Sequence, residues 1–331
     1  MVNSNLPLVD LHCDLLGYLA MVDGATAFDA EVIGCAVPHL QAGRVKLQVM
    51  AHFTPTKPGS TEMGMRQAMK WRELLETGTF VSWQDHLGEK ELKAEDGIIY
   101  GWPSIENASN FAEEDEPLKR AFARLEQLIS LVGRPLYIGL THHPENRFAG
   151  GNKSEMGLKD DGRILLEYLN GRGIAIDFSH TSDATAQGIL DHIDAKGLDI
   201  KLMASHSNYR SVHNHKRNLP DDYVRELVRR GGLIGVNFVR DFLDPEDPDT
   251  LYAHLRHGLH LGAGGSIAWG MDYFPPSLLN PRDLTLRAPI FHPAHDHAGL
   301  VPGLMARMPE EVPGIDLEAF AFRNALRFFA R

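Results

Sequence analysis

The chain has 331 residues, of which 43% are hydrophobic and 23% charged, and its formal net charge is −11. This composition is typical of a globular protein with a large core and excludes disorder as the default state. The acidic balance, with no run of Lys or Arg, argues against a nucleic-acid partner. The 17 histidines are a first indication of metal chemistry.

The cysteines and the chain ends favour a reduced, cytoplasmic location. Cys13 and Cys35 give no sign of a disulfide framework. The first residues lack the basic start and the unbroken apolar segment of a signal peptide. Leu317–Arg331 alternates apolar with charged residues, which predicts an amphipathic surface helix and not a membrane span or anchor. We therefore expect a soluble protein without a membrane partner.

Eight short apolar runs bounded by turn residues are predicted to be β-strands. In chain order they are Leu8–Asp14, Val45–His52, Gly97–Ile105, Leu136–Thr141, Ile174–Ser179, Lys201–Ser205, Leu233–Phe238 and Ser266–Met271. Helix-compatible segments lie between them, and several begin at Asp, Thr or Pro and end at Gly. These segments are Thr61–Gly78, Glu116–Val132, Leu158–Arg172, Asp183–Lys196, Asp221–Arg230 and Pro248–Gly262.

The alternation of strands and helices predicts one α/β domain over residues 1–331, a (β/α)8 barrel of the TIM type. No repeat of 20–50 residues and no low-complexity linker divides the chain, so one domain is favoured over two. Ala20–Gly43 and Asp272–Pro313 are expected to add loops or short helices, and residues 317–331 a C-terminal helix.

Polar side chains follow most of the predicted strands, at the carboxyl ends where barrel enzymes assemble their catalytic groups. They are His12 and Asp14 after the first strand, Glu106 after the third, His142 after the fourth, His180 after the fifth, His206 after the sixth and Asp272 after the eighth. Seven potential ligands or proton carriers are therefore expected on one rim of the barrel.

Several of these residues have the chemistry of metal ligands. The two-residue strand period puts Asp10, His12 and Asp14 on one face, where they could bind a cation or merely satisfy loop amides. His180 and His206 each end an apolar strand as Ser-His. Two such histidines on adjacent strands favour metal binding over a structural role.

Other rim residues suit catalysis. Glu106 could bridge two cations about 3.5–4 Å apart, or instead form a salt bridge or a helix N-cap contact. Asp272 follows the strand that neighbours the first strand, so it is the natural general base beside His12. One of the pair His142 and His143 could polarise a substrate carbonyl or stabilise an oxyanion.

The loop after the sixth strand is basic in an otherwise acidic chain. A guanidinium such as Arg217 could hold a substrate carboxylate bidentately. For Arg210 and Lys216 the favoured alternative is a solvated loop paired with Asp221 and Asp222. The later histidines His292, His295 and His297 follow the last strand in a Pro-rich stretch, and we do not expect them among the metal ligands.

Taken together, these motifs resemble the membrane (renal) dipeptidase family, the zinc dipeptidases of peptidase family M19, which have an amidohydrolase-like barrel. The resemblance runs in order along most of the chain. It rests on the segments Asp10–Asp14, Ile105–Glu106, Leu140–His142, Ile176–His180, Ser205–Ser207, Arg217–Asp222, Val236–Phe238 and Trp269–Phe274.

The resemblance implies a role for each rim residue. The implied metal ligands are His12 and Asp14 for one zinc ion, His180 and His206 for the other, and Glu106 as the bridge between them. The implied reaction groups are Asp272 as the proton carrier, His142 as the contact to the scissile carbonyl or oxyanion, and Arg217 as the anchor for the substrate's C-terminal carboxylate.

The implied function is a dipeptidase that hydrolyses the peptide bond with a metal-bridging hydroxide and two divalent ions, expected to be Zn²⁺. Asn107–Ser109, residues 143–147, Phe274 and Pro275 depart from the family pattern on the substrate side. The alternative is therefore a related barrel enzyme that acts on another amide, an N-acyl amino acid or a lactone. A non-catalytic binding protein is disfavoured because every ligand candidate is present. The sequence leaves a homodimer open.

Overall fold

The computed structural model describes residues 6–86, 91–92, 97–278, 286 and 288–330. In this part of the chain nine parallel strands form one sheet. They are β1 (Leu8–Asp10), β2 (Val45–His52), β3 (Val81–Ser82), β4 (Tyr100–Ile105), β5 (Tyr137–Gly139), β6 (Ala175–Asp177), β7 (Leu202–Ala204), β8 (Leu233–Val236) and β9 (Ile267–Trp269).

Eight of these strands close into a barrel in the order β1–β2–β4–β5–β6–β7–β8–β9, and Asp10 pairs with Trp269 to complete the ring. The remaining strand, β3, pairs with Tyr100 and Gly101 at the start of β4, whereas β5 pairs with Ile105 at its end. The predicted eight-stranded barrel is confirmed. The apolar pattern did not indicate β3, because its two residues are not buried.

The helices that the structure describes connect and cover the strands. They are α1 (Leu15–Met21), α2 (Val37–Ala42), α3 (Ser60–Glu76), α4 (Leu118–Val132), α5 (Asp160–Leu169), α6 (Asp183–Lys196), α7 (Asp221–Arg229), α8 (Arg240–Leu243), α9 (Thr250–His260), α10 (Val301–Glu311) and α11 (Asn324–Phe329). Among the residues described, no helix combines the length and the apolar character that crossing a bilayer requires.

Local sequence explains the bounds of the longer helices. In α4 the buried residues recur every three or four positions: Ala121, Leu125, Leu128 and Val132. This helix ends at Gly133, whose φ of 83° suits glycine. In α6 the N-cap Ser182 accepts a hydrogen bond from the backbone N–H of Thr185, and Gly197 ends the helix in the left-handed region. The apolar faces of both helices belong to the buried core.

The C-terminal segment packs against the barrel. Residues 319–323 form a π-helical segment that continues into α11. The Phe320 ring lies 4.4 Å from that of Trp269, and the Phe329 ring lies 5.1 Å from that of Trp102. The segment is helical, as the sequence predicts, but it is not a surface helix, because its aromatic side chains are buried.

Candidate metal centre

The residues that leave β6 and β9 have unusual backbone conformations. His180 has a φ of 68° and Asp272 a φ of 63°, in the left-handed region that non-glycine residues rarely adopt. Such a conformation costs about 1–3 kcal/mol and persists where the surroundings determine it. At both positions the strained backbone belongs to a residue whose side chain lies in the buried polar cluster described next.

The Glu106 carboxylate lies at the centre of a cluster of histidines. Its Oε1 atom is 3.0 Å from Nε2 of His180, 3.5 Å from Nε2 of His206, 3.8 Å from Nε2 of His12 and 3.7 Å from Nε2 of His142. The carboxylate is 5% exposed. The structure therefore brings together residues from five different strand ends.

A glycine on the neighbouring strand permits this position of Glu106. A Cβ atom at Gly139 on β5 would lie 2.2 Å from the carbonyl oxygen of Glu106. No side chain larger than hydrogen fits at that distance without moving the backbone. Gly139 thus fixes how closely the exit of β4 approaches β5.

The distances on the side of His180 and His206 fit one cation. Their Nε2 atoms are 2.9 Å apart, and each is within 3.5 Å of Glu106 Oε1. Ligand atoms at about 2.0–2.2 Å from a shared zinc ion lie roughly 3–3.5 Å apart. Two imidazoles and a carboxylate are also a donor set that divalent transition metals prefer.

The side of His12 and Asp14 offers a second donor set. His12 Nε2 lies 3.9 Å from Asp14 Oδ2 and 3.5 Å from Asp272 Oδ1. Nε2 of His12 and Oδ1 of Asp14 are buried without a hydrogen-bond partner. Because a buried polar atom without a partner costs about 1–3 kcal/mol, these atoms suit a bound cation. The residues present therefore fit divalent metal ions.

Burial keeps the histidines in the form that binds metals. Burial, assisted by the charge of Arg217, lowers the pKa of His12 to about 3. The pKa values of His180 and His206 are also well below the usual range, again chiefly because of burial. Each imidazole is thus neutral at pH 7, with one nitrogen lone pair available as a ligand.

The pKa values of the carboxylates are shifted in the opposite direction. Burial raises the pKa of Glu106 well above its usual range, and the neighbouring Asp14 and Asp272 raise it further. The pKa of Asp14 is raised for the same two reasons, burial and then Asp272. A bound cation would reverse these shifts, since it supplies positive charge where acidic groups are crowded.

A hydrogen bond holds one of the two carboxylate oxygens of Asp272. Its Oδ2 accepts a hydrogen bond from Nδ2 of Asn237 at 2.7 Å, and the backbone N–H of Asn237 in turn donates to Oδ1 of Asn208 at 3.0 Å. The other oxygen, Oδ1, faces His12. Burial raises the pKa of Asp272 to about 7. Our sequence reasoning gave Asn237 no role, although it lies in the motif that follows β8.

The two histidines after β5 line one wall of the centre. The His142 ring lies 4.1 Å from the His180 ring and 4.7 Å from that of Phe53. His143 lies beside it at 4.0 Å, and its Nδ1 is hydrogen-bonded to Asn152 Oδ1 at 3.0 Å. One nitrogen of each of the three histidines lies within 4.8 Å of the others.

Arg217 is buried against the exit of β7. It donates from Nη1 to the Ser207 hydroxyl at 3.2 Å and from Nη2 to the backbone oxygen of His206 at 3.0 Å. Its Nε is buried without an acceptor, and the guanidinium lies 5.4 Å from the centre of the Phe242 ring. A cationic group with unused donors therefore lies beside the cluster.

The other two basic residues of this loop form surface ion pairs. Arg210 makes a bidentate contact with Asp183, and Lys216 lies 2.7 Å from Glu155. The prediction that these two residues form solvated ion pairs is correct. The predicted partners, residues 221–222, are wrong. The loop folds towards the start of α6, which puts Asp183 within reach.

The later histidines lie away from the cluster. His292 Nε2 is hydrogen-bonded to the backbone oxygen of Asp244 at 2.7 Å, and His297 stacks on His39 at 3.9 Å. His295 is buried, with both ring nitrogens lacking a partner. Within the described residues, none of the three histidines joins a group of side chains that could hold a metal ion.

Comparison with known proteins decides the family. A family model described as membrane dipeptidase (Peptidase family M19) matches residues 1–282. The chain belongs to this family. An uncharacterised dipeptidase of Schizosaccharomyces pombe is 31% identical to this M19 chain over 318 residues, which cover 84% of the chain and 73% of that protein.

One further relative and one solved structure extend the comparison. A dipeptidase of Clonostachys rogersoniana is 36% identical over 130 residues, which cover 38% of this chain and 32% of that protein. A metallopeptidase from Rhodobacter sphaeroides, solved with a phosphinate mimic of the dipeptide L-Ala-D-Ala, has a TM-score of 0.76 at 18% identity and 99% coverage of both chains. The predicted family, the barrel and a metal-dependent dipeptidase activity are confirmed.

Two residues that the sequence analysis placed on the substrate side, Asn107 and Phe274, serve local structure in this chain. Asn107 accepts a hydrogen bond from the backbone N–H of Ser109 and donates to the backbone oxygen of Thr54 at 2.8 Å, so it closes the turn after Glu106. Phe274 packs on Phe291 at 5.5 Å. Asn107 and Phe274 therefore support the loops around the metal centre.

Proposed function

We propose that this M19 protein is a two-metal dipeptidase, with zinc as the metal, that hydrolyses dipeptides carrying a free C-terminal carboxylate. The observation that supports it most is the position of Glu106, whose Oε1 atom lies 3.0–3.8 Å from three histidine Nε2 atoms. A carboxylate with ligands on two sides suits a bridge between two cations.

The proposed ligands divide into two sets that share this carboxylate. One set is His12 and Asp14, the other is His180 and His206, and Glu106 belongs to both. When bound, the cations would polarise the scissile carbonyl and lower the pKa of a water molecule. The protein's own contribution is a buried site in which these side chains lie close together.

Asp272 would hold and move the proton. Asn237 fixes Oδ2, which leaves Oδ1 directed towards His12 and the centre of the site. A carboxylate with one oxygen free of hydrogen bonds can take a proton from an attacking water and return it to the leaving amine. Amide hydrolysis requires both transfers, because an amine leaves readily only when it is protonated.

His142 would contact the carbonyl oxygen of the scissile bond. Burial lowers its pKa well below the usual range, so the ring is neutral and carries one N–H at pH 7. A neutral imidazole donates a hydrogen bond to a developing oxyanion without giving up its proton. The position of its Nε2, 3.7 Å from Glu106, supports this role.

Arg217 would bind the substrate's C-terminal carboxylate. Its guanidinium has five N–H groups, of which Ser207 and the backbone oxygen of His206 occupy two. A buried cation with free donors strongly favours a carboxylate partner. The Rhodobacter sphaeroides relative binds a mimic of L-Ala-D-Ala, which makes dipeptides with a D-residue at the second position an informative part of any substrate panel.

The test combines metal analysis with a substrate panel. We expect purified protein to contain about two divalent ions per chain and to hydrolyse members of a panel of L,L and L,D dipeptides. Chelation should abolish turnover, and Zn²⁺ should restore it. Preferential hydrolysis of N-acyl amino acids or lactones would replace the dipeptide assignment, and metal-free protein with full activity would refute the metal mechanism.

A further inference from the structure

The two nitrogens of the His12 ring have different environments. Its Nε2 faces the metal centre without a hydrogen-bond partner, whereas its Nδ1 lies 2.6 Å from the hydroxyl of Tyr137. That hydroxyl donates its proton to the backbone oxygen of Leu11 at 3.3 Å. A phenol has one proton to donate, so towards His12 it acts as an acceptor. This arrangement favours the tautomer with the ring proton on Nδ1.

His206 repeats the arrangement with a different hydroxyl. Its Nδ1 lies 2.6 Å from Oγ of Ser205. The Ser205 hydroxyl donates to Oδ2 of Asp177, while Oδ1 of the same carboxylate accepts from the backbone N–H groups of Ser179 and Ser205 at 2.9 and 2.8 Å. Because the serine proton is committed to Asp177, Ser205 accepts from Nδ1–H of His206.

These two contacts belong to one buried group beneath the cluster. The His12 and His206 rings stack at 3.7 Å. His180 differs, since its Nδ1 is buried without a partner. The hydroxyls therefore act on one histidine from each proposed metal site and leave His180 unsupported.

We propose that Tyr137 and the Ser205–Asp177 pair are positioning residues that hold His12 and His206 with the proton on Nδ1 and the lone pair on Nε2. The inference rests on the proposed function, in which Nε2 of both rings binds metal. Loss of such hydrogen bonds typically weakens metal binding about 10–100-fold, because the wrong tautomer and ring orientation must first be corrected.

The first test reads the tautomers directly in the unaltered protein. Long-range ¹H–¹⁵N spectra of metal-free, ¹⁵N-histidine-labelled protein at pH 7 should show Nδ1 protonated and Nε2 unprotonated in His12 and His206. His12→Gln and His206→Gln identify the two signals by their loss. The opposite tautomer at both rings would overturn the proposal, and this reading does not depend on activity or on metal binding.

The second test measures metal affinity by competition with a chromophoric chelator. We expect Tyr137→Phe and Ser205→Ala each to weaken binding of one Zn²⁺ by about 10–100-fold. The visible spectrum of each Co²⁺-loaded variant should also differ from that of the Co²⁺-loaded unaltered protein. Ser205→Thr keeps a hydroxyl and should restore most of the affinity.

The matched control is Tyr252→Phe, which removes an equally buried hydroxyl, bonded to the backbone oxygen of Leu304 at 3.2 Å, on the outer helices. It should leave metal binding unchanged. Affinities in Tyr137→Phe and Ser205→Ala equal to that of the unaltered protein would overturn the inference. Absence of metal binding by the unaltered protein would instead refute the proposed function.

Discussion

The Nε2 atoms of His180 and His206 lie 2.9 Å apart, although the two residues are 26 positions apart in the sequence. Both nitrogens belong to neutral rings, because burial lowers the pKa of each histidine well below its usual range. Two lone pairs at this distance repel each other unless a proton or a cation lies between them. With the Glu106 carboxylate 3.0 and 3.5 Å from the same two nitrogens, the pair supports a metal ion between β6 and β7.

Replacement of His206 should reduce the metal content. We expect His206→Ala to lower the ions bound from about two per chain towards about one, since it removes a ligand from one of two sites. Elemental analysis of purified protein measures the content. His297→Ala, a histidine that stacks on His39 outside the cluster, is the control and should keep both ions. A normal content in His206→Ala would contradict the assignment.

Replacement of Asp272 should separate catalysis from metal binding. Asp272→Asn keeps the shape of the side chain but cannot accept the proton, so we expect kcat to fall by at least about 100-fold with the metal retained. The exposed Asp296→Asn serves as the matched control. Steady-state kinetics and metal analysis on the same preparations provide both readings. Normal turnover in Asp272→Asn would exclude the proposed proton transfer.

Replacement of Arg217 should affect substrates according to their charge. We expect Arg217→Lys to raise KM for dipeptides by about tenfold or more, because the ammonium group lacks the planar fork that binds a carboxylate bidentately. Dipeptide amides, which carry no carboxylate, should be hydrolysed with an unchanged KM. The control is Arg210→Lys, which alters a surface ion pair in the same loop and should leave KM for both substrate classes unchanged. Equal effects on both substrate classes would refute the anchoring role.

One ion pair outside the site should make stability depend on pH. The hydrogen bonds from the Arg124 guanidinium lower the pKa of Glu116 in the folded protein. Folding therefore favours the ionised form, and the stabilisation is present above the unfolded pKa of about 4.3 and is lost as pH falls through the lower folded value. Glu116→Gln should lower the free energy of unfolding by about 1 kcal/mol at pH 7.

That difference should be smaller at pH 3 than at pH 7. Urea unfolding of metal-free protein at both pH values measures it, and chelation beforehand removes the contribution of bound ions. Glu76→Gln breaks an exposed pair with Arg72 and should have little effect at either pH. A loss in Glu116→Gln that is equal at pH 3 and pH 7 would show that packing, and not charge, accounts for it.

The rim of the barrel could be predicted from the sequence because it depends on local patterns. The strand period and the position of each turn put His12, Glu106, His180, His206 and Asp272 at strand ends, and parallel strands bring their carboxyl ends together. The structure places their side chains in one buried cluster. The roles in metal binding and catalysis remain proposals that the experiments above test.

The sequence by itself determined the barrel, the family and the set of candidate ligands, since each follows from short motifs and their order. The tertiary structure decided the partners. Tyr137 reaches His12 across 125 residues and Asn237 reaches Asp272 across 35. Such contacts depend on strand register and on closure of the barrel, which bring distant segments to the same level along the barrel axis. No local pattern of residues specifies that level, so only the folded chain shows these partners.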